Sequence, residues 1–146
     1  MIIPDTVFTE IRRLGFDTFP FIYFVESHPV YPPMMRDIIR RIDDGIIKGY
    51  GSVITLTEVL VRPRREGKTG LENEYRDILQ NSRNFRLVPI DSEIADRASE
   101  LRSRHNIRTP DALQIAAVLS ADCKAFLTND KKLKQVDDLK IIVLDD

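Results

Sequence analysis

The stretch "GFDTFPFIYFVESHP", residues 15–29, sets an acid at the head of an apolar run. Apart from Asp17 and Glu26 it is nearly all apolar or aromatic, so most of it is expected to be buried. The pattern predicts a short strand ending near Phe16 and then a helix over "FPFIYFVES". A carboxylate at such a junction has an energetic cost unless something nearby uses it. One acid cannot say what that is, and the flanking chain has to supply the answer.

Downstream, strands and helices are expected to alternate. "PPMMRDIIRRIDDGIIKG" reads as a helix, with Met35, Ile38, Ile39, Ile42 and Ile46 at helical spacing. "GSVIT" reads as a buried strand, "LTEVLVR" and "LENEYRDILQNS" as helices, and "RPRREGKTG", residues 62–70, as the one long loop. "FRLVPI" is a strand, and Asp91 caps the helix "SEIADRASELRSRH" behind it. "DALQIAAVLSA" is apolar on nearly every side and is expected to be a buried helix. "AFLT" and "KIIVLD" supply two further strands. Strands separated by helices predict an α/β fold: a central, mainly parallel sheet of about five strands with helices on both faces.

Composition sets the bounds. A chain of 146 residues with 42% apolar content suits one domain with a sizeable core, and no repeat or boundary interrupts it. The net charge of −1 argues against a large basic face, though not against a local one. The single cysteine, Cys123, cannot form an internal disulfide and reads as a small buried hydrophobe. That usage fits the cytoplasm. No apolar stretch reaches the roughly 20 residues that span a bilayer, and "MIIPDTVFTEIRR" lacks the layout of a signal peptide.

In open α/β sheets, ligands sit beyond the carboxyl ends of the strands, where strand order reverses. Four acids fall there. Asp17 follows the first strand, Glu58 lies a short turn after "GSVIT", Asp111 opens the buried helix, and Asp130 follows "AFLT". Each has an ordinary explanation. Asp17 can cap a helix, and Thr55 with Glu58 matches a capping box. Thr109 can be an N-cap, with Pro110 in the first turn and Asp111 complementing the helix dipole. Asp130 beside Asn129 can be a turn residue. Together they are harder to dismiss. At about 5 Å and an effective dielectric near 20, each ionised pair costs on the order of 3 kcal/mol. Such a cluster takes up protons or a cation, and oxygen ligands without Cys or His suit Mg²⁺ or Mn²⁺.

"DTFPFIYFVE", "SVITLTEVLVRP", "TPDALQIAA" and "FLTND" resemble, in order and spacing, the four acidic motifs of PIN-domain proteins, most closely the VapC-type toxins. The likeness spans residues 11–146. It implies a Rossmann-like, three-layer PIN sandwich over residues 1–146 as a single domain, with 1–10 as an N-terminal extension. It implies a metal-dependent ribonuclease in which Asp17, Asp111 and Asp130 hold the divalent ion, Glu58 completes the catalytic acids, and the products carry a 5′ phosphate and a 3′ hydroxyl. Thr128 and Asn129 would support the site. The likeness further implies a small antitoxin partner and a homodimer. Family members often place a small polar residue two positions after the first acid, where this chain has Phe19. Asp5 also sits in an apolar-Asp-Thr context, but "FIYFVE" continues the family pattern after Asp17 and "FTEIRR" does not after Asp5.

An RNA substrate calls for local positive charge. The candidates are Arg62, Arg64, Arg65 and Lys68 after the glutamate helix, with Lys131 and Lys132 beside Asp130. His28 and His105 belong to no motif and read as surface or packing residues. Two other classes stay open: a PIN-like RNA-binding or adaptor domain with weak or no turnover, and a phosphate-accepting receiver domain using Asp91. The receiver reading wants paired acids after the first strand and a lysine after the last. The chain offers Asp17 alone and ends "VLDD".

Overall fold

The computed structural model describes residues 10–26 and 33–144. Asp5 and His28, and all but the last residue of the 1–10 segment, lie outside them. Five strands, β1 (Arg13–Phe16), β2 (Lys48–Ser52), β3 (Phe85–Val88), β4 (Ala125–Thr128) and β5 (Lys140–Val143), form one sheet. Their order is β3-β2-β1-β4-β5 and every pairing is parallel. The helices are α1 (Phe19–Glu26), α2 (Pro33–Asp43), α3 (Val53–Arg65), α4 (Thr69–Asn81), α5 (Ser92–Arg104) and α6 (Thr109–Ser120), with a 3₁₀ turn over Lys131–Gln135. The α/β sandwich expected from the alternation is present. No helix of the described residues is long and apolar enough to cross a membrane.

Parallel strands are covered on both faces, so neighbouring side chains on one strand enter different cores. Ala125 and Leu127 of β4 pack with Leu14 and Phe16 of β1 beneath α1–α4, through Phe21, Ile38, Val59 and Leu79. Phe126, between them in sequence, packs with Tyr50 beneath α5 and α6, against Leu101 and Ile115. Cys123 is buried in this second core, and burial pushes its thiol up to about 12.

Helix α6 is buried along most of its length because Ala112, Ala116 and Ala117 let it settle onto the sheet. The closest approach is at Gly15, where an added Cβ would stand 2.7 Å from the Val118 side chain. Small residues on both sides thus bring the N-terminal turn of α6 to the end of β1.

Five local expectations are corrected. "GSVIT" is not all strand: β2 ends at Ser52, whose hydroxyl accepts from the Ile54 amide at 3.2 Å and starts α3 at once. Thr55 and Glu58 are therefore no capping box; both lie inside the helix. The long loop over 62–70 is absent, because α3 runs through a buried Pro63 to Arg65 and α4 begins at Thr69. Helix α2 stops at Asp43, as Gly45 takes a positive φ of 76°, and Ile46 is left exposed. Thr109 does not cap α6 either: Arg108 holds that position, and the Thr109 hydroxyl instead accepts from Arg102 Nη1 at 2.8 Å. The Asp91 cap is as expected, accepting from the Ile94 amide at 2.9 Å.

Gly15→Ala should destabilise the fold by about 1–3 kcal/mol through overpacking against α6. The shift in the denaturant midpoint of unfolding measures it; an unchanged midpoint would mean that α6 can move off β1 freely.

Candidate active site

Strand order reverses between β1 and β4: β2 and β3 build outward on one side, β5 on the other. The Asp17 amide continues the β1–β4 ladder by one bond, to Leu127 O at 2.9 Å. Its carboxylate therefore stands at the mouth of the crevice that this topology opens. From β4, Thr128 Oγ1 donates to Asp17 Oδ2 at 2.7 Å and accepts the Asp130 amide at 3.1 Å. Asp130 Oδ1 in turn accepts the Lys132 amide at 2.9 Å and caps the 3₁₀ turn.

Two helices bring the other acids. On α3, Thr55 and Glu58 are one turn apart and face β1; on α6, so are Asp111 and Gln114. Thr18 Oγ1 donates to Glu58 Oε1 at 2.5 Å, and the Thr18 amide donates to Asp17 Oδ1 at 2.8 Å. Gln114 Nε2 donates to the same Asp17 Oδ1 at 3.0 Å, while its Oε1 accepts from Thr55 Oγ1 at 2.8 Å. Arg108 Nε reaches Asp111 Oδ2 at 3.3 Å. Asp17, Glu58, Asp111 and Asp130 line one open cleft with Thr18, Phe19, Ile22, Arg108 and Asn129.

Four carboxylates face a single guanidinium there, and the lining holds neither Cys nor His. Burial, and then the charges of Asp111 and Glu58, hold the Asp17 carboxyl above its ordinary 3.8, against the pull of the Thr128 hydroxyl and the Thr18 amide. An all-oxygen set with excess negative charge fits a hard divalent cation. Among the described residues, however, no three of these acids bring oxygens within 4.8 Å of one another. Like charges with separate local partners keep apart, and binding an ion would draw them together. The trio that does meet that spacing is His105, Asp137 and Asp138, where Arg104 Nη2 already lies 3.0 Å from Asp138 Oδ2.

Of the expected supporting residues, Thr128 touches Asp17 and Asn129 lines the cleft. Lys132 lines an adjoining groove, and Lys131 is exposed. Arg62, Arg64, Arg65 and Lys68 do not line the cleft. Arg62 pairs with Glu26 and Glu66, Arg64 with Glu72, and Lys68 with Glu66. Sequence reasoning missed Thr18, Gln114, Arg108 and the true role of Thr55. The signal for Gln114 was available: it is the one amide in an otherwise apolar helix, three residues after Asp111.

Two stability changes follow. As pH rises from 3.8 through the raised native value, the unfolded chain ionises Asp17 first and the native state loses stability. With chelator present, Asp17→Asn should therefore stabilise the fold at pH 7 by on the order of 1 kcal/mol, a gain that fades as pH falls below the ordinary carboxylate value. Melting curves across pH check the sign. Gln114→Leu should cost about 1–3 kcal/mol, because Asp17 and the buried Thr55 each lose a partner; denaturant titration measures it.

No curated protein matches the chain. Among solved structures, a toxin–antitoxin complex from Klebsiella pneumoniae is similar at 21% identity and a TM-score of 0.67, with 89% of this chain and 96% of that chain covered. VapBC2 from Rickettsia felis, bound to a DNA fragment from its promoter, gives 15% identity and a TM-score of 0.71, covering 91% of this chain and 99% of that one. FitAcB from Neisseria gonorrhoeae gives 19% and 0.63, covering 88% and 95%. At such identities the likeness is one of fold. The PIN-domain family model matches residues 16–139, most of the described structure and all four acids. The chain belongs to the PIN-domain family.

Proposed function

We propose that the chain is a divalent-metal-dependent endoribonuclease, the cytoplasmic toxin of a toxin–antitoxin pair. The observation that carries this is the convergence of Asp17, Glu58, Asp111 and Asp130 on one cleft of a PIN-domain chain. The similarity to the toxin–antitoxin complex from Klebsiella pneumoniae supports an antitoxin partner. A homodimer is part of the same reading.

Asp17, Asp111 and Asp130 would hold Mg²⁺ or Mn²⁺, which when bound stabilises charge on the scissile phosphate and makes hydroxide available near neutral pH. The rest falls to the chain. Thr128, Gln114 and the Thr18 amide fix both oxygens of Asp17, so no rotamer search is needed when substrate arrives. Thr18 holds one oxygen of Glu58. Its other oxygen, without a partner among the described residues, takes the proton from the attacking water. Arg108, largely exposed beyond its contact with Asp111, offers the scissile phosphate a second donor. Asn129 lines the same cleft, and Thr128 Oγ1 steadies the Asp130 turn by accepting its amide.

Asp17→Asn and Asp111→Asn should each lower RNA cleavage by on the order of 1,000-fold in Mn²⁺, and EDTA should abolish it. Gel assays on a mixed RNA substrate, with melting curves as a fold control, decide this. Full turnover in either variant excludes that residue as a ligand. Binding without any turnover by the unaltered chain would replace the nuclease with an RNA-holding adaptor.

A further inference from the structure

Two of the four acids stand on segments that face each other across a groove. One segment is the loop 105–108 after α5, which carries Arg108 and leads into Asp111 on the first turn of α6. The other is the 3₁₀ turn Lys131–Gln135, capped by Asp130. The groove between them is lined by Ile107 and Leu133, and it shares Arg108, Asp111 and Asp130 with the acid cleft. Apolar packing therefore leaves part of this gap open. With no ion to hold them, the like charges of Asp111 and Asp130 push the two segments apart.

Polar bonds tie the segments together at two points outside the cleft. At the first, the Gln135 side chain grips one residue of the facing loop twice. Its Oε1 accepts the Asn106 amide at 3.0 Å, and its Nε2 donates to the Asn106 carbonyl at 3.3 Å. The same Nε2 donates to Lys132 O at 2.9 Å, so the gripping amide is fixed to the turn whose Lys132 amide Asp130 accepts. At the second point, Arg104 closes a fork on Asp138, from Nη2 to Oδ2 at 3.0 Å and from Nη1 to Oδ1 at 3.4 Å. Arg104 ends α5, and Asp138 lies between the 3₁₀ turn and β5. Arg102 stiffens the loop from its own side, donating from Nε to Ile107 O at 3.0 Å and from Nη1 to Thr109 Oγ1 at 2.8 Å.

We propose that Gln135 and Arg104 are positioning residues for the divalent ion: they brace the two segments and limit how far Asp111 and Asp130 can part. The inference rests on the metal-dependent nuclease reading and adds to it two residues that do not line the acid cleft. Exposed bonds of this kind contribute little to global stability. Their effect is local, because loops open in small units with equilibria of their own. Ion affinity falls in proportion to the fraction of molecules whose acids stand at binding distance. A brace that keeps this fraction high leaves an ion little closure to drive.

The test is Mn²⁺ affinity, read from the EPR signal of free Mn²⁺, with melting curves on the metal-free chain. Gln135→Ala changes no charge. It should weaken Mn²⁺ binding about 5-fold and leave the melting temperature within about 2 °C. Arg104→Gln separates the brace from simple electrostatics. Removing a cation tightens Mn²⁺ binding if charge alone acts, whereas loss of the brace should weaken it, again about 5-fold. Excess Mn²⁺ should restore RNA cleavage in both variants but not in Asp111→Asn. Unchanged affinity in Gln135→Ala, tighter binding in Arg104→Gln, or cleavage losses that excess Mn²⁺ leaves in place each overturn the brace. Melting losses of about 10 °C or more in both variants mark ordinary structural contacts and overturn it as well; where one variant alone melts low, the other supplies the reading. If the unaltered chain binds Mn²⁺ and Asp17→Asn does not, while both brace variants bind normally, only the brace falls. If the unaltered chain binds no Mn²⁺, the brace falls together with the nuclease reading.

Discussion

The side-chain amide of Gln114 ties helix α6 to three other elements by hydrogen bonds. Its nitrogen donates to Asp17 after β1, and its oxygen accepts from Thr55 on α3 and, at 3.4 Å, from Ser52 at the end of β2. Gln114 is buried with Asp17, Thr55 and Ser52, so each of these polar groups depends on the others for a partner. A network of this kind is satisfied only in one arrangement. The amide therefore sets the rotation of α6 about its axis as well as the orientation of Asp17. Because Asp111 lies one turn earlier on α6, the same constraint aims Asp111 at the cleft.

The sheet makes that junction possible. β1 is flanked by β2 and β4, and only at its carboxyl end do chain segments from both halves of the fold arrive together. Glycines in the strands let the layers close. Gly15 yields to Val118 of α6, and an added Cβ at Gly49 would stand 2.8 Å from the Phe85 ring. Strand β2, "KGYGS", thus has little side chain of its own on one face, and Phe16 and Phe85 fill the space in edge-on contact at 6.0 Å between centroids.

These same glycines explain what was and was not legible in the sequence. The alternation of elements, the end of β1 at Phe16, the Asp91 cap and the buried α6 could be read because period and polarity change together there. β2 could not: "VIT" has the β-branched residues of a strand, yet it opens a helix, because tertiary packing favours the glycine-bearing segment before it. Pro63 looked like a breaker, but its ring is buried and the helix runs past it, closing with Glu66 N→Arg62 O and Lys68 N→Pro63 O. The four acids were legible as residues at strand ends. Their supports were not, since Thr18, Thr55 and Gln114 carry no charge and act through partners 37 to 97 positions away.

Charge across the surface is balanced almost to zero, yet it is not evenly mixed. At the far end of α3, arginines and lysines are matched to Glu26, Glu66 and Glu72, so their field beyond a Debye length of roughly 8 Å is small. Around His105, a guanidinium already stands among Asp137 and Asp138. The acid cleft lacks such matching, with one guanidinium against four carboxylates, and the groove beside it shares Arg108, Asp111 and Asp130 with the cleft. Four like charges held by separate local partners keep a repulsion in the cleft that a net charge of −1 does not reveal.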